Sequence, residues 1–568
     1  MKEGATGRLT ARTVVISGLC ALLATAATCS SKGERKGGGA AASQGERLIL
    51  FATTELNGQL EPCGCNSDPM GDIARTVALV EEARAGEVPV LVVDGGSLLF
   101  EGDAVAPGEK AQAELKAKAL AGIVERELRA DAVGLGPHDL ALGAGAVDLP
   151  RHAVNVPAEA GVDLAPPAVL EAGEVKVGVF GVVAPSALDA AKIQASDPVA
   201  AAARAVADLR ERGAQVVVAL AHMQRREAVA LARRVEGIDF LLVGQKAPAD
   251  PRKVQDEPQK VGQTWLFQPA NRGQVVSRLE IAVRGAGPFS DALGPGRIAA
   301  LDARIAALRE DIAGWEKDPS ADQGFLAQKK NELAGLQEQR ARLDKSPLLV
   351  PEKGNWFTFT QVPIRKGLAC NGETRQAKEE LDRAIAEVNL AESKARGPAA
   401  PPPAGKPGFA GVEECGFCHA DAVEFWKKTR HAGAWETLVE GHKEASYDCI
   451  GCHVTGWDQP GGATLAFNES LRDVQCEVCH GPGSIHVDKD GKDRPRTVVK
   501  SPSEDVCLRC HNEEHSDTFE YEAYLRDVTG PGHGAELRAR LGDGPTGHEL
   551  RKAALEKAGL AVGEGCGK

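Results

Sequence analysis

Between Cys415 and His511 the pattern Cys-x-x-Cys-His occurs four times, as "CGFCH" (415–419), "CIGCH" (449–453), "CEVCH" (476–480) and "CLRCH" (507–511). No other feature of the sequence restricts the fold as strongly. Two thiols separated by two residues, followed at once by an imidazole, form the attachment pattern of c-type haem. The thiols make thioethers to the porphyrin, and the histidine gives the iron a proximal ligand. Cys415, Cys418, Cys449, Cys452, Cys476, Cys479, Cys507 and Cys510 are therefore expected to hold four c-type haems, with His419, His453, His480 and His511 as proximal ligands. A structural zinc site uses cooperating C-x-x-C pairs with no need of a histidine after each one, and here every copy carries it. Four porphyrins within roughly 120 to 150 residues leave little room for a conventional apolar core. The macrocycles must then form much of the interior, in a mainly α-helical, loop-rich domain where they touch one another. A chain of touching haems conducts electrons.

The other histidines and the methionines narrow the iron ligation. Of 13 histidines ten lie at or after position 419, so His431, His442, His486, His515, His533 and His548 remain as distal candidates. The three methionines are Met1, Met70 and Met223, none near a haem motif, which argues against His/Met ligation. Bis-histidine or five-coordinate irons of low potential are expected.

The start of the chain reads as an export signal. Lys2, Arg8 and Arg12 precede the apolar stretch "TVVISGLCALLATAA", which is too short to span a bilayer, and residues 1–29 have the layout of a signal peptide. "AATCSSKG" resembles a lipoprotein processing site with Cys29 lipidated, although Thr28 and the lack of a leucine three residues ahead depart from that pattern. Cleavage after a small residue is the alternative. Residues 30–45 form a flexible linker. These features point to the periplasm or the outer surface, with a membrane engaged only through a lipid. A net charge of -13 argues against nucleic acid as a partner.

From 46 to 285 Val-rich runs such as "VPVLVVDGG", "VKVGVFGVV", "AQVVVALAH" and "DFLLVGQ" alternate with helical stretches, which predicts an α/β domain with buried strands. Residues 286–396 read as a helical hairpin and a connecting segment. Ile298, Leu301, Ile305, Leu308, Ile312 and Trp315 form a heptad seam, continued on a second helix by Leu326, Leu333, Leu336 and Leu343. The hairpin is a packing element, or else a dimerising coiled coil. "NWFTFTQVPI" reads as a strand before a further helix. The stretch "GPAAPPPAGKPG", within 397–409, is a stiff, extended linker, and 410–568 is the haem domain.

"CGFCHADAVEFWKKTRHAGAW", "CIGCHVTGW" and "VQCEVCHGPGSIH" make the segment 413–530 similar to the tetrahaem cytochrome c-554 family. The resemblance implies redox partner proteins as donor and acceptor. It also implies distal ligands: His431 for the third haem, His486 for the fourth, and His533 or His548 for the first. The second haem, on His453, would be five-coordinate and able to bind a small ligand.

"LILFATTELNGQLEP", "LVVDGGSLLFEG", "VGLGPHDLALG" and "ALAHMQRREAVALARRVEGIDFLLVGQ" resemble the 5′-nucleotidase branch of the calcineurin-like metallophosphoesterases. The fold implied is an α/β metallophosphoesterase-like sandwich holding two metals. Residue by residue, Glu55 stands for the family's first Asp, Asn57 for its first His, Ser97 for the bridging Asp, Pro137 for the Asn, and Gln245 and Ala247 for the last two His. His138 and His222 are retained, and Asp139 replaces a Glu. Without the bridging carboxylate and most imidazoles a dinuclear site should not form, and a second metal site in this domain is not expected. Cys63, Cys65, Cys370 and Cys566 are left over; disulfides or a soft-metal site would account for them. The chain thus reads as an exported multihaem electron carrier fused to an inactive phosphoesterase-like domain. The alternative is a bifunctional enzyme with residual nucleotidase activity, or with small nitrogen-compound chemistry at an open haem.

Overall fold

Strands that are apolar at every position, not at alternate ones, need cover on both faces. The molecule supplies it with two sheets packed on each other and helices on both outer sides. The computed structural model describes residues 46–62, 66–245, 257–292, 295–317, 323–345, 350–492, 498–512 and 515–558. The expected export signal, Cys29, the tether, Cys63, Cys65, Ala247, Cys566 and the side chain of Leu343 lie outside the described residues.

The first sheet contains β1 (Glu46–Thr53), β2 (Val90–Asp94), β3 (Ala132–Val133), β12 (Val275–Val283), β13 (Phe289–Asp291) and β14 (Asn355–Pro363) in the order β13-β14-β12-β1-β2-β3. β4 (Arg151–His152) and β5 (Leu164–Ala165) form a small separate pair. The second sheet contains β6 (Ala168–Ala172), β7 (Val175–Val183), β8 (Val216–His222), β9 (Phe240–Gly244), β10 (Gln259–Val261) and β11 (Thr264–Phe267) in the order β10-β11-β9-β8-β7-β6. β1 and β2 run parallel, as do β7, β8 and β9, as strand-helix alternation requires.

Leu48, Leu50, Leu279 and Phe357 of the first sheet meet Val179, Val218, Leu220 and Phe240 of the second in one core. Phe240 packs against Phe289 and edge-on against Phe357 at 5.1 Å. Helices α1 (Ile73–Arg84) and α2 (Lys110–Arg126) cover the outer face of the first sheet, and α3 (Pro198–Glu211) and α4 (Arg225–Arg234) that of the second. Phe51, Phe180, Phe240, Phe267, Phe289, Phe357 and Phe359 are all fully buried here.

The expected boundary at 285 falls inside the first sheet. β14 pairs antiparallel with β12 from Val275↔Pro363 to Ala282↔Trp356, and so completes it. Between β13 and β14 stands the hairpin of α5 (Pro295–Trp315) and α6 (Gln323–Lys345). Its seam is closed on itself: Leu301, Ile305, Leu308 and Ile312 pack with Leu326 and Leu336. The ion pairs Arg340–Asp302 and Lys330–Glu316 tie its two antiparallel helices. Helix α7 (Gly372–Arg396) starts where the Asn371 side chain accepts from the Thr374 N–H at 2.9 Å, and it lays Leu381 and Ile385 on the core beneath α1 and α2.

After α7 the construction changes. The Pro-rich stretch is not a free spacer, because it is bonded to the region that follows. The Gly461 N–H donates to the Ala400 carbonyl at 2.7 Å, and the Gly408 N–H to Ser484 Oγ at 2.8 Å. From Val412 to the end of the described chain, most helices are short, such as Val412–Gly416, Tyr447–Ile450, Cys476–His480 and Glu504–Leu508. The main apolar cluster there is small, built on Ala445, Ile450, Val454, Ala463, Leu465 and Leu471. Among the described residues no helix is long and apolar enough to cross a membrane.

Candidate functional site

Two sites emerge, one at the ends of the sandwich strands and one among the Cys-x-x-Cys-His motifs. In the sandwich, the chain leaving β1 and β2 turns sharply, with positive φ at Glu55, Asn57 and Ser97. Such backbone is unfavourable for residues with a Cβ and is held by its surroundings. Asp139 supplies much of the hold: its carboxylate accepts from the backbone N–H groups of Ser97, Leu98, Leu99 and Gly136, at 2.8 to 3.1 Å. A Cβ on Gly136 would stand 2.3 Å from the Ser97 backbone nitrogen, so glycine is required at that crossing. Asp139, which stands where the resembled family has a Glu, is the anchor of this loop.

Glu55, Asn57, Ser97, His138 and His222 come together here. His222 Nε2 lies 3.5 Å from Glu55 Oε1, His138 Nδ1 lies 2.8 Å from Asn57 Oδ1, and His138 Nε2 lies 3.5 Å from Asp103. Burial pushes the Glu55 carboxyl up to about 7, and the same burial pushes His222 down to about 4. Asp94, fully buried beneath them, is also raised to about 7 by burial. Gln245 is turned toward α4, where its Oε1 accepts from the Arg225 N–H at 3.1 Å. Among the described residues no group of three or more His, Cys, Asp and Glu is arranged to hold a metal ion. Cys370, at the entry to α7, is disulfide-bonded.

In the second site the motifs approach one another in a definite order. The Cys415 thiol touches that of Cys476, and burial adds to the rise in its pKa that this neighbour causes. Cys452 stands in the same relation to Cys510. Burial raises the Cys479 thiol to about 11, with Cys507 next in effect. The third motif's helix packs against Val412–Gly416 at the first motif and against Glu504–Leu508 at the fourth, and Cys510 of the fourth neighbours Cys452 of the second.

Three of the four motif histidines are oriented as iron ligation would need. His453 Nδ1 is engaged by the Ala434 carbonyl at 2.5 Å, His480 Nδ1 by the Val499 carbonyl at 2.6 Å, and His511 Nδ1 by Ser516 Oγ at 3.1 Å. A donating Nδ1–H directs Nε2 to a metal and fixes the ring. His431 lies opposite His511 with ring centroids 6.2 Å apart. Metal–nitrogen bonds of about 2 Å on each side of one ion, plus the two ring radii, require about this separation. The His486 Nδ1 is buried without a hydrogen-bond partner.

The His431 ring neighbours His511 of the fourth motif, while its backbone carbonyl accepts from the Val474 N–H just before the third, where Trp426 Nε1 donates to the Val474 carbonyl. His533 sits close enough to His480, of the third motif, to feel its charge, although burial is the larger cause of its lowered pKa. His486 follows Ser484, which bonds Gly408 on the approach to the first motif. His548 Nδ1 accepts from Arg430 at 3.1 Å at the surface, and His442 caps a helix in the left-handed region.

Sequence reasoning passed over Glu477, which lies between the cysteines of the third motif. Its carboxylate accepts from the N–H groups of Ala410, Gly411 and Gly483 at 2.7 to 2.9 Å and joins the first motif's approach to the third. A carboxylate inside a haem motif was the available signal.

Residues 414–481 match the family model described as cytochrome c554 and c-prime. Cytochrome c-554 of Nitrosomonas europaea is 34% identical over 134 residues, covering 18% of this chain and 57% of the relative, so the chain spans little more than half the length of that curated protein. The solved reduced state of the Nitrosomonas europaea cytochrome c554 aligns at 29% identity over 24% of this chain and 79% of that one, with a TM-score of 0.15. A 5′-nucleotidase precursor from Thermus thermophilus aligns at 23% identity over 47% of this chain and 59% of that one, with a TM-score of 0.36. Residues 414–481 are thus similar to the cytochrome c554 and c-prime family, a likeness that implies c-type haem iron, and they are joined to an α/β region similar in fold to the 5′-nucleotidases and calcineurin-like phosphoesterases.

Proposed function

We propose that this protein is an exported electron carrier with four c-type haems, fused to a phosphoesterase-like domain that no longer hydrolyses. Haem iron, when bound, supplies a one-electron couple. The chain's part is to set the irons in sequence and choose their ligands. The observation that carries the reading is the packing of the third motif's helix against the helices at the first and fourth motifs, with Cys452 of the second motif beside Cys510 of the fourth, an order that would serve one linear path. His511 with His431 and His480 with His533 are taken as ligand pairs, His486 as a further distal ligand, and His453 keeps an open position.

In the sandwich, Ser97 occupies the place of the metal-bridging carboxylate, and Gln245 is engaged by the α4 backbone. Two-metal hydrolysis has no bridge to use there. Redox partner proteins, a location in the periplasm or at the outer surface, and lipidation at Cys29 belong to the same reading.

Alkaline pyridine haemochrome on the mature protein, combined with metal analysis, tests it. Four haem irons per chain, with no phosphate released from 5′-nucleotides in magnesium, manganese or zinc, is the expected result. Two or three haems, or phosphate release well above background, would overturn it.

A further inference from the structure

The segment that leads into the second motif is held largely from outside the haem-motif region; beyond the fourth motif the sandwich makes a further contact, where the Ser67 N–H donates to the Asp517 carboxylate at 3.0 Å. Within the six residues before Cys449 the chain is gripped four times from outside the haem-motif region. Lys443 Nζ lies 2.5 Å from Glu61 and 2.6 Å from Asp382. The Ala445 carbonyl accepts from Asn389 Nδ2 at 2.8 Å. The Tyr447 N–H donates to Gln112 Oε1 at 3.0 Å. Asp448 accepts from Gln112 Nε2 at 2.9 Å and from Lys116 Nζ at 2.7 Å. Glu61, Gln112 and Lys116 belong to the sandwich, and Asp382 and Asn389 to α7. The first motif, by contrast, is held by Glu477 and Gln475 of the haem-motif region itself.

Gln112 is the centre of this grip. It is 3% exposed, and Asn389 Nδ2 also donates to its Oε1 at 2.7 Å, so its oxygen accepts twice and its nitrogen donates once. A buried amide satisfied in this way is costly to disturb and fixes its partners' geometry. Its own position is set by α2, whose Leu120, Ile123 and Val124 are built into the apolar core over the first sheet. Asp448 immediately precedes Cys449, and His453 follows four residues later.

We propose that the sandwich, having lost its hydrolytic ligands, serves as the seat of the second haem, and that Gln112 is the positioning residue that fixes the Tyr447–Ile450 helix and so tunes that haem alone. This rests on the reading of four haems with an open position at His453. It gives the α/β domain a role in electron transfer that needs no ligand of its own.

The test uses the full-length haem-loaded protein and two variants. Gln112→Glu keeps the acceptor for Tyr447 and Asn389 but sets a carboxylate against Asp448; Gln112→Glu with Asp448→Asn restores a donor–acceptor pair. Potentiometric titration and carbon monoxide binding to the reduced protein read the open haem separately. The expected result is that one wave and the carbon monoxide spectrum shift in Gln112→Glu, the other waves stay, and the double variant returns both to the original values. Unchanged behaviour, a shift spread over all haems, or failure of the double variant to restore would overturn the proposal. Haem content is measured on the same samples. Fewer than four per chain in the unsubstituted protein would instead overturn the four-haem reading, so the two failures are distinguishable.

Discussion

The sandwich and the haem-motif region are built on opposite principles. In the sandwich, β8 is buried at all seven positions and fully buried phenylalanines from both sheets interlock. In the haem-motif region the helices around the motifs have four to eight residues, the principal apolar cluster is small, and most of the motif cysteines have intermediate exposure. Helices this short are not stable on their own propensity. The first region is specified by apolar surface removed from water; on the reading proposed above, the second would be specified by covalent attachment and iron ligation. That reading predicts one part able to fold without haem and one part that needs it.

The comparison can be broken most directly by withholding haem. In a chain made without haem attachment, hydrogen exchange should show the strands within 46–283 still protected and residues 410–558 exchanging freely. Equal protection in both regions would refute the contrast. Next in size is Phe240→Ala, which removes a fully buried ring from between the two sheets and should cost about 3 to 5 kcal/mol of unfolding free energy. Haem content in that variant should be unchanged, as read by pyridine haemochrome beside a denaturant titration.

A smaller effect concerns the ties between the two regions. Burial alone would raise the Glu61 carboxyl, but the Lys443 and Lys378 ammonium groups outweigh it and hold it down at about 2. A depressed carboxyl pKa stabilises the fold above the unfolded value of about 4.5 and loses that contribution as pH falls toward about 2. With the side chain 37% exposed, solvent screening limits the effect to about 1 kcal/mol. Denaturation midpoints of the parent and Glu61→Gln should differ at pH 7 and converge as pH falls through that window. Smallest of all is Lys116→Ala. It removes an ion pair whose Asp448 side is 47% exposed, and the cost should be no more than about 0.5 kcal/mol by the same titration.

The sequence by itself determined whatever is encoded locally. The four motifs are contiguous, the seam of Leu301, Ile305, Leu308 and Ile312 repeats within one helix, and the run 216–222 is apolar up to its final histidine. Each follows from spacing within a few turns or residues. Only the tertiary structure decided what depends on partners distant along the chain. β14 joins the first sheet across an inserted hairpin, because backbone pairing with β12 depends on a register that periodicity does not reveal. The His431 ring neighbours His511, and the spacing after His419 sets how far the chain reaches but not where it crosses. Gln112, one polar residue on an otherwise ordinary helix, meets Tyr447 and Asp448 from 335 and 336 residues away. A buried amide becomes legible only when the groups that satisfy it are seen together.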